Sequence, residues 1–160
     1  MINQKDLAKA FARNANIVKS QAKDLTHEES LIQPPFRGNC LNWVLGHLIA
    51  NHDDILETLG EPRLFEGQLD RYKRESEPLT HEDKGTIRFE ELVEWFERGQ
   101  VKITECLDHA DEAQLSREVI SGERKSTVGQ RVFFSYFHET YHVGQTEMFR
   151  QLTGKNDKVI

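Results

Sequence analysis

Cysteine is scarce in this chain. Cys40 and Cys106 are the two among 160 residues, too far apart for a CxxC pair, which excludes a zinc knuckle or a thioredoxin-type dithiol. Each is expected to pack as a small buried hydrophobe. Proline is also sparse, 4 residues beside 10 glycines, so collagenous and mucin-like tracts are excluded. No run approaches the roughly 20 apolar residues that span a bilayer, and the first residues carry charge without a long apolar stretch. Neither membrane insertion nor export is therefore expected, and a cytoplasmic chain is. An excess of basic residues is missing too: 21 Lys and Arg face 27 Asp and Glu, a net charge of −6, with the cations interspersed among acids. Nucleic-acid binding, which needs clustered cations against phosphates, is not expected. What remains, 37% hydrophobic and 30% charged residues, fits one domain over residues 1–160. At this length a chain buries about two-thirds of its unfolded surface and needs no structural metal.

Helical periodicity dominates what is there. Leu7, Phe11, Ala15, Val18, Ala22 and Leu25 recur three or four residues apart and predict a first helix over Gln4 to Leu25. Thr26 and Glu29 have capping-box spacing for a short turn after it. Two prolines and a glycine in Pro34-Pro35-Phe36-Arg37-Gly38-Asn39 then interrupt helix, and Asn39 is the expected N-cap of the next. The second helix is predicted over Cys40 to Leu59, stopped by Gly60 and Pro62. From Glu61 to Gly85 the periodicity is lost in a polar connection, long enough to be either a functional cover or a mobile segment, with room for one helical turn. A third helix is predicted from Ile87 to Ala110, weakened at Gly99. Another connection follows, where Val119-Ile120 before Ser121-Gly122 suggests a small hairpin or an extended crossing. A fourth helix opens at Ser126 or Thr127 and runs to Thr153, with Gly154 beyond. The fold class is all-α: a four-helix bundle with long connections after helices 2 and 3.

Seven histidines are where chemistry is sought. His27, His81 and His109 fall at helix ends or in loops among charged residues and are expected to be solvated. His138 and His142 differ, because four residues on a helix place two imidazoles on one face, one turn apart, where they can converge on one ion. The same stripe carries Phe134, Tyr141, Gln145, Phe149 and Leu152 and is expected to face the core. Inward imidazoles need partners, since an unpaired buried polar group costs roughly 1–3 kcal/mol, and a metal satisfies both. The second helix offers His47, at the border of its apolar face, as third ligand, with His52 in reserve. Gly46 beside His47 would let a neighbouring helix come close.

Gly46-His47-Leu48 on helix 2, together with His138-Glu139-Thr140-Tyr141-His142-Val143-Gly144-Gln145 on helix 4, resembles the DinB-like superfamily of metal-binding four-helix bundles. The resemblance extends over nearly the whole chain, and the His-x-x-x-His-x-Gly-Gln string is its specific part. It implies a divalent ion on His47, His138 and His142 at one end of the bundle, with positions left for water or substrate. It also implies a homodimer and, from members that are thiol-dependent S-transferases or a mycothiol-dependent isomerase, a small thiol and an electrophile as substrates.

Three neutral ligands leave an ion its full charge, which suits deprotonation of a bound thiol or water. A bacillithiol- or mycothiol-type S-transferase is the leading expectation. The alternatives are a metal-dependent hydrolase and a non-catalytic, stress-associated metal-binding dimer. Zn or Ni leads, with Fe or Mn open, because imidazole suits several of these ions. A di-iron carboxylate bundle is excluded, since it needs Glu-x-x-His pairs from two helices plus two further Glu, and neither inward stripe supplies them. Glu139 and Glu147 are expected to be solvated rather than general bases. Gln145 can orient a ligand histidine or merely cap a buried contact, Tyr141 and Trp43 wall a pocket or fill core, and Cys40 is expected to be an inert packed thiol rather than one activated by its helix N-terminus. An open pocket beside the three imidazoles would favour catalysis over a structural role.

Overall fold

The computed structural model describes residues 3–121 and 124–158. The first long helix, α1 (Gln4–Ala22), is capped by Asn3, whose side chain accepts from the Lys5 N–H; it stops one turn before the predicted Leu25. The expected capping box follows, with Thr26 and Glu29 bonding reciprocally at the head of a short α2 (His27–Ser30). The next helix, α3 (Leu41–Leu59), ends at Gly60, whose φ of 91° is left-handed. Its N-cap is Cys40 rather than Asn39, and Cys40 makes no side-chain cap bond; the Asn39 Oδ1 is instead buried without a partner.

The third long helix, α4 (Phe89–His109), lies within the predicted span. Beyond it come α5 (Glu112–Ser116) and an antiparallel hairpin of β1 (Glu118–Ser121) and β2 (Arg124–Thr127), in which Val119 faces Ser126 and Ile120 faces Lys125. The hairpin expectation holds, although Gly122 lies outside the described residues. The last helix, α6 (Val128–Leu152), starts at Thr127 with a second capping box to Gln130.

Packing closes these helices into an all-α bundle. α4 touches both α1 and α3 on one side, and α6 touches both on the other. The core falls into two apolar clusters. One gathers Leu7, Phe11, Ile55, Leu56, Ile103, Leu107, Val128 and Val132, the other Val18, Leu45, Leu48, Phe89, Phe96 and Phe149. Along every long helix one polar side chain stands between the two sets: Asn14, His52, Gln100 and Glu139, all buried. They bond to one another across the bundle. Glu139 accepts from Asn14 at 3.1 Å, from Gln100 at 2.6 Å and from His52 Nε2 at 2.8 Å. The expectation that Glu139 is solvated is thereby overturned. Gly99 has a role here as well, because a Cβ at that position would stand 2.4 Å from His52 Nδ1.

The polar connection after α3 is a packed cover. Asp53 accepts the backbone N–H groups of Leu64 and Phe65 at its start, and Phe65, Leu69, Tyr72 and Leu79 are buried. The one helical turn anticipated there is the 3-10 turn Asp70–Tyr72. His27 corrects a second expectation: it is 1% exposed, and its Nδ1 accepts from the N–H of Phe89, the first residue of α4. His81 and His109 are exposed as expected. Among the described residues, no helix is long and apolar enough to cross a membrane.

Candidate metal centre

His138 and His142 project from the middle of α6, and His47 meets them from the first half of α3. The ring centroids stand 5.2 Å apart for His47 and His138, 5.5 Å for His47 and His142, and 4.7 Å for His138 and His142. One ring nitrogen from each lies within 4.8 Å of the others, a spacing at which the three could hold one metal ion. His52 is not among them, being bonded to Glu139 in the polar layer.

The predicted stripe of α6 needs correction around this trio. Phe134 and Tyr141 are 55% and 61% exposed and Leu152 also faces outward, whereas Val128, Val132, Val143, Thr146 and Phe149 are buried. The histidines therefore flank the core instead of pointing into its centre, which leaves them only partly covered.

The surroundings fix two of the three rings. His47 Nδ1 donates to the carbonyl of Tyr72 at 3.0 Å, and His142 Nδ1 donates to Gln145 Oε1 at 2.7 Å. With the proton on Nδ1, the lone pair of each ring is on Nε2. The Asn51 amide approaches the His47 Nε2 at 3.3 Å while donating to the His47 carbonyl at 2.8 Å. His138 Nδ1 is buried with no hydrogen-bond partner, the unsatisfied state that an added ligand to the cluster would relieve. Trp43 stacks on His47 at 4.8 Å from within the apolar core, and the exposed Tyr141 meets His142 edge-on at 5.3 Å.

Tyr72 explains Gly46. A Cβ on residue 46 would stand 2.2 Å from the Tyr72 ring, so what comes close is this ring and not a neighbouring helix. The Tyr72 hydroxyl donates to Asn42 Oδ1 at 2.9 Å and accepts from the Ile87 N–H at 2.8 Å; burial pushes its pKa up to about 12. Sequence periodicity missed this residue, because it reaches the site through a backbone carbonyl in an irregular connection.

All three imidazoles favour the neutral, metal-binding form. Burial lowers the proton affinity of His47 and His142, and it takes His138 down to about 4 with help from the charges of its two partners and Arg74. Cys40 is buried, donates to the Leu79 carbonyl at 3.5 Å, and has its pKa raised by burial. That burial agrees with the packed thiol expected of it. Cys106 is only partly buried.

A cleft of about 770 Å³ opens beside the cluster, lined by His47 and His138 together with Asn51, Arg74, Arg131 and Phe134. A sequence model described as the DinB superfamily matches residues 10–146 of this chain. The chain belongs to the DinB superfamily. A crystal structure of a conserved protein from Enterococcus faecalis is similar, with a TM-score of 0.74, covering 95% of this chain and 97% of that one at 18% identity. That likeness shows the fold shared across this DinB chain and its neighbour. No curated protein matches. In this DinB protein the donor set suits a divalent ion: three neutral nitrogens, two with tautomers set by outer partners and one with an unsatisfied nitrogen.

Proposed function

We propose that this DinB protein is a metal-dependent enzyme that transfers a low-molecular-weight thiol to an electrophilic small molecule. His47, His138 and His142 would hold the ion, with zinc or nickel as the leading candidates. The observation that carries the reading is the convergence of three neutral imidazoles at the wall of an open cleft. A divalent ion bound there supplies the positive charge that turns a coordinated thiol into a thiolate at neutral pH. The chain's own contribution is orientation. Tyr72 and Gln145 keep the Nε2 lone pairs of His47 and His142 available, Trp43 limits water on one side, and the cleft presents the acceptor to sulfur. The hydrolase alternative is weakened by Glu139, which three donors hold in the core, away from a water-activating role. A homodimer is part of the proposal; the exposed Phe133 and Phe137 of α6 offer apolar surface for it, and sedimentation showing only monomer would remove that part.

Elemental analysis of native protein, followed by turnover with bacillithiol, mycothiol, glutathione and coenzyme A against a generic electrophile, tests the reading. About one divalent ion per chain is expected, lost in His138→Ala, with turnover by at least one thiol. Full metal occupancy in that variant, or no turnover across the panel, contradicts it.

A further inference from the structure

We propose that the substrate of this site carries a carboxylate and that the guanidinium of Arg131 receives it. The inference rests on the thiol-transfer reading for the identity of the reaction and on separate observations for the anion. Arg131 stands seven residues before His138 on α6, two helical turns along the same face, and both line the cleft.

The charges of the cleft are distinguished by their partners. Arg63 donates to Asp54 and Glu57 at 2.7 Å, and Lys73 pairs with Asp70 at 2.6 Å. Asp53 is committed to the backbone of Leu64 and Phe65. Arg74 touches only the adjacent, exposed Glu75, at 4.0 Å. Arg131 alone among these cations is partly buried with no side-chain hydrogen bond or ion pair among the described residues. Glu66 is the cleft's acid without a cation partner there, and it is exposed to solvent. A partly desolvated guanidinium without an acid is a stronger demand for a ligand than a solvated carboxylate. Its planar fork matches a carboxylate through two parallel bonds, and Arg74 adds a second positive charge at the same rim.

Ligand binding to zinc-loaded protein tests this, read by the fluorescence of Trp43, which stacks on His47. N-acetylcysteine and N-acetylcysteamine differ by the carboxylate, and N-acetylalanine keeps the carboxylate without the thiol. The wild type should bind N-acetylcysteine about tenfold tighter than N-acetylcysteamine, the effect of one charge-assisted hydrogen-bonded pair. Arg131→Gln should erase that preference while leaving zinc content and N-acetylcysteamine affinity unchanged, and Arg131→Lys should retain part of it. Equal affinities in the wild type, or a preference that survives in Arg131→Gln, overturn the proposal. Should neither thiol bind, the thiol reading fails and N-acetylalanine decides: binding lost in Arg131→Gln upholds the carboxylate site, and binding indifferent to Arg131 or undetectable overturns it.

Discussion

An imidazole ligates through one nitrogen only while the other keeps its proton, so the residues that hold that proton matter nearly as much as the ligands. Gln145 does this for His142 and the Tyr72 carbonyl does it for His47. Gln145→Ala is therefore expected to weaken metal binding about 10- to 100-fold with little loss of stability, checked by competition with a chromophoric chelator. Gly46→Ala should weaken it too, because the added methyl displaces the Tyr72 ring; unchanged affinity would show that the Tyr72 contact is dispensable. The pairing of His138 and His142 was legible in the sequence, since four-residue spacing on a helix brings two side chains together. His47 was singled out by its place at the border of the apolar face of α3 and by the family resemblance, with His52 in reserve. Gln145 was visible as a candidate one turn from His142. Tyr72 was not, because nothing in local periodicity reports a main-chain acceptor brought from a separate connection.

At the level of elements, each long helix contributes a polar side chain to one layer at mid-height of the bundle. Glu139 is the acceptor on which the other three converge. Removing it leaves His52 and Gln100 with unmet donors in a dry interior, while Asn14 keeps its bond to Thr140, and breaking such a buried pair costs roughly 3–5 kcal/mol. Glu139→Ala should lose stability on that scale in urea unfolding, and Glu139→Gln less, as it keeps the shape and an acceptor. A loss under about 1 kcal/mol for Glu139→Ala would show that the layer is not coupled. This layer also explains the error about α6. Amphipathic reading assumes charge outside and aromatics inside, whereas here a carboxylate and Arg150 turn inward while Phe134, Phe137 and Tyr141 turn out. The ends at Thr26, Thr127 and Gly60 follow the sequence because these caps act locally, whereas the end of α1 and the Asn39 cap do not. The partners of Glu139 lie on three other helices, and one helix's periodicity carries no record of them.

For the whole molecule, the connection after α3 was recognisable as a break in pattern, but its burial of Phe65, Leu69, Tyr72 and Leu79 is a tertiary fact. That cover reaches the centre through the Tyr72 carbonyl and supplies one wall of the cleft with Phe65, Leu69 and Arg74. Burying three imidazoles in their neutral form has a consequence for the metal-free protein. Their folded pKa values lie below the ordinary 6.5, with His138 at about 4. Between those limits the unfolded chain binds protons that the folded chain refuses, so stability falls as pH drops from about 6.5 towards about 4. Calorimetry of metal-free protein should show Tm declining over that window, and less so when His138 is replaced by Gln. A Tm equally pH-dependent in both proteins would place the titration elsewhere.

In the proposed enzyme His47, His138 and His142 share one ion and leave part of its coordination facing the cleft. Anomalous diffraction from crystals of the zinc-loaded protein tests it most directly. A single peak is expected in contact with a ring nitrogen of each of the three histidines, with its remaining position open towards Arg131 and Phe134. A peak bound elsewhere, or one closed off by a fourth protein ligand, would contradict it.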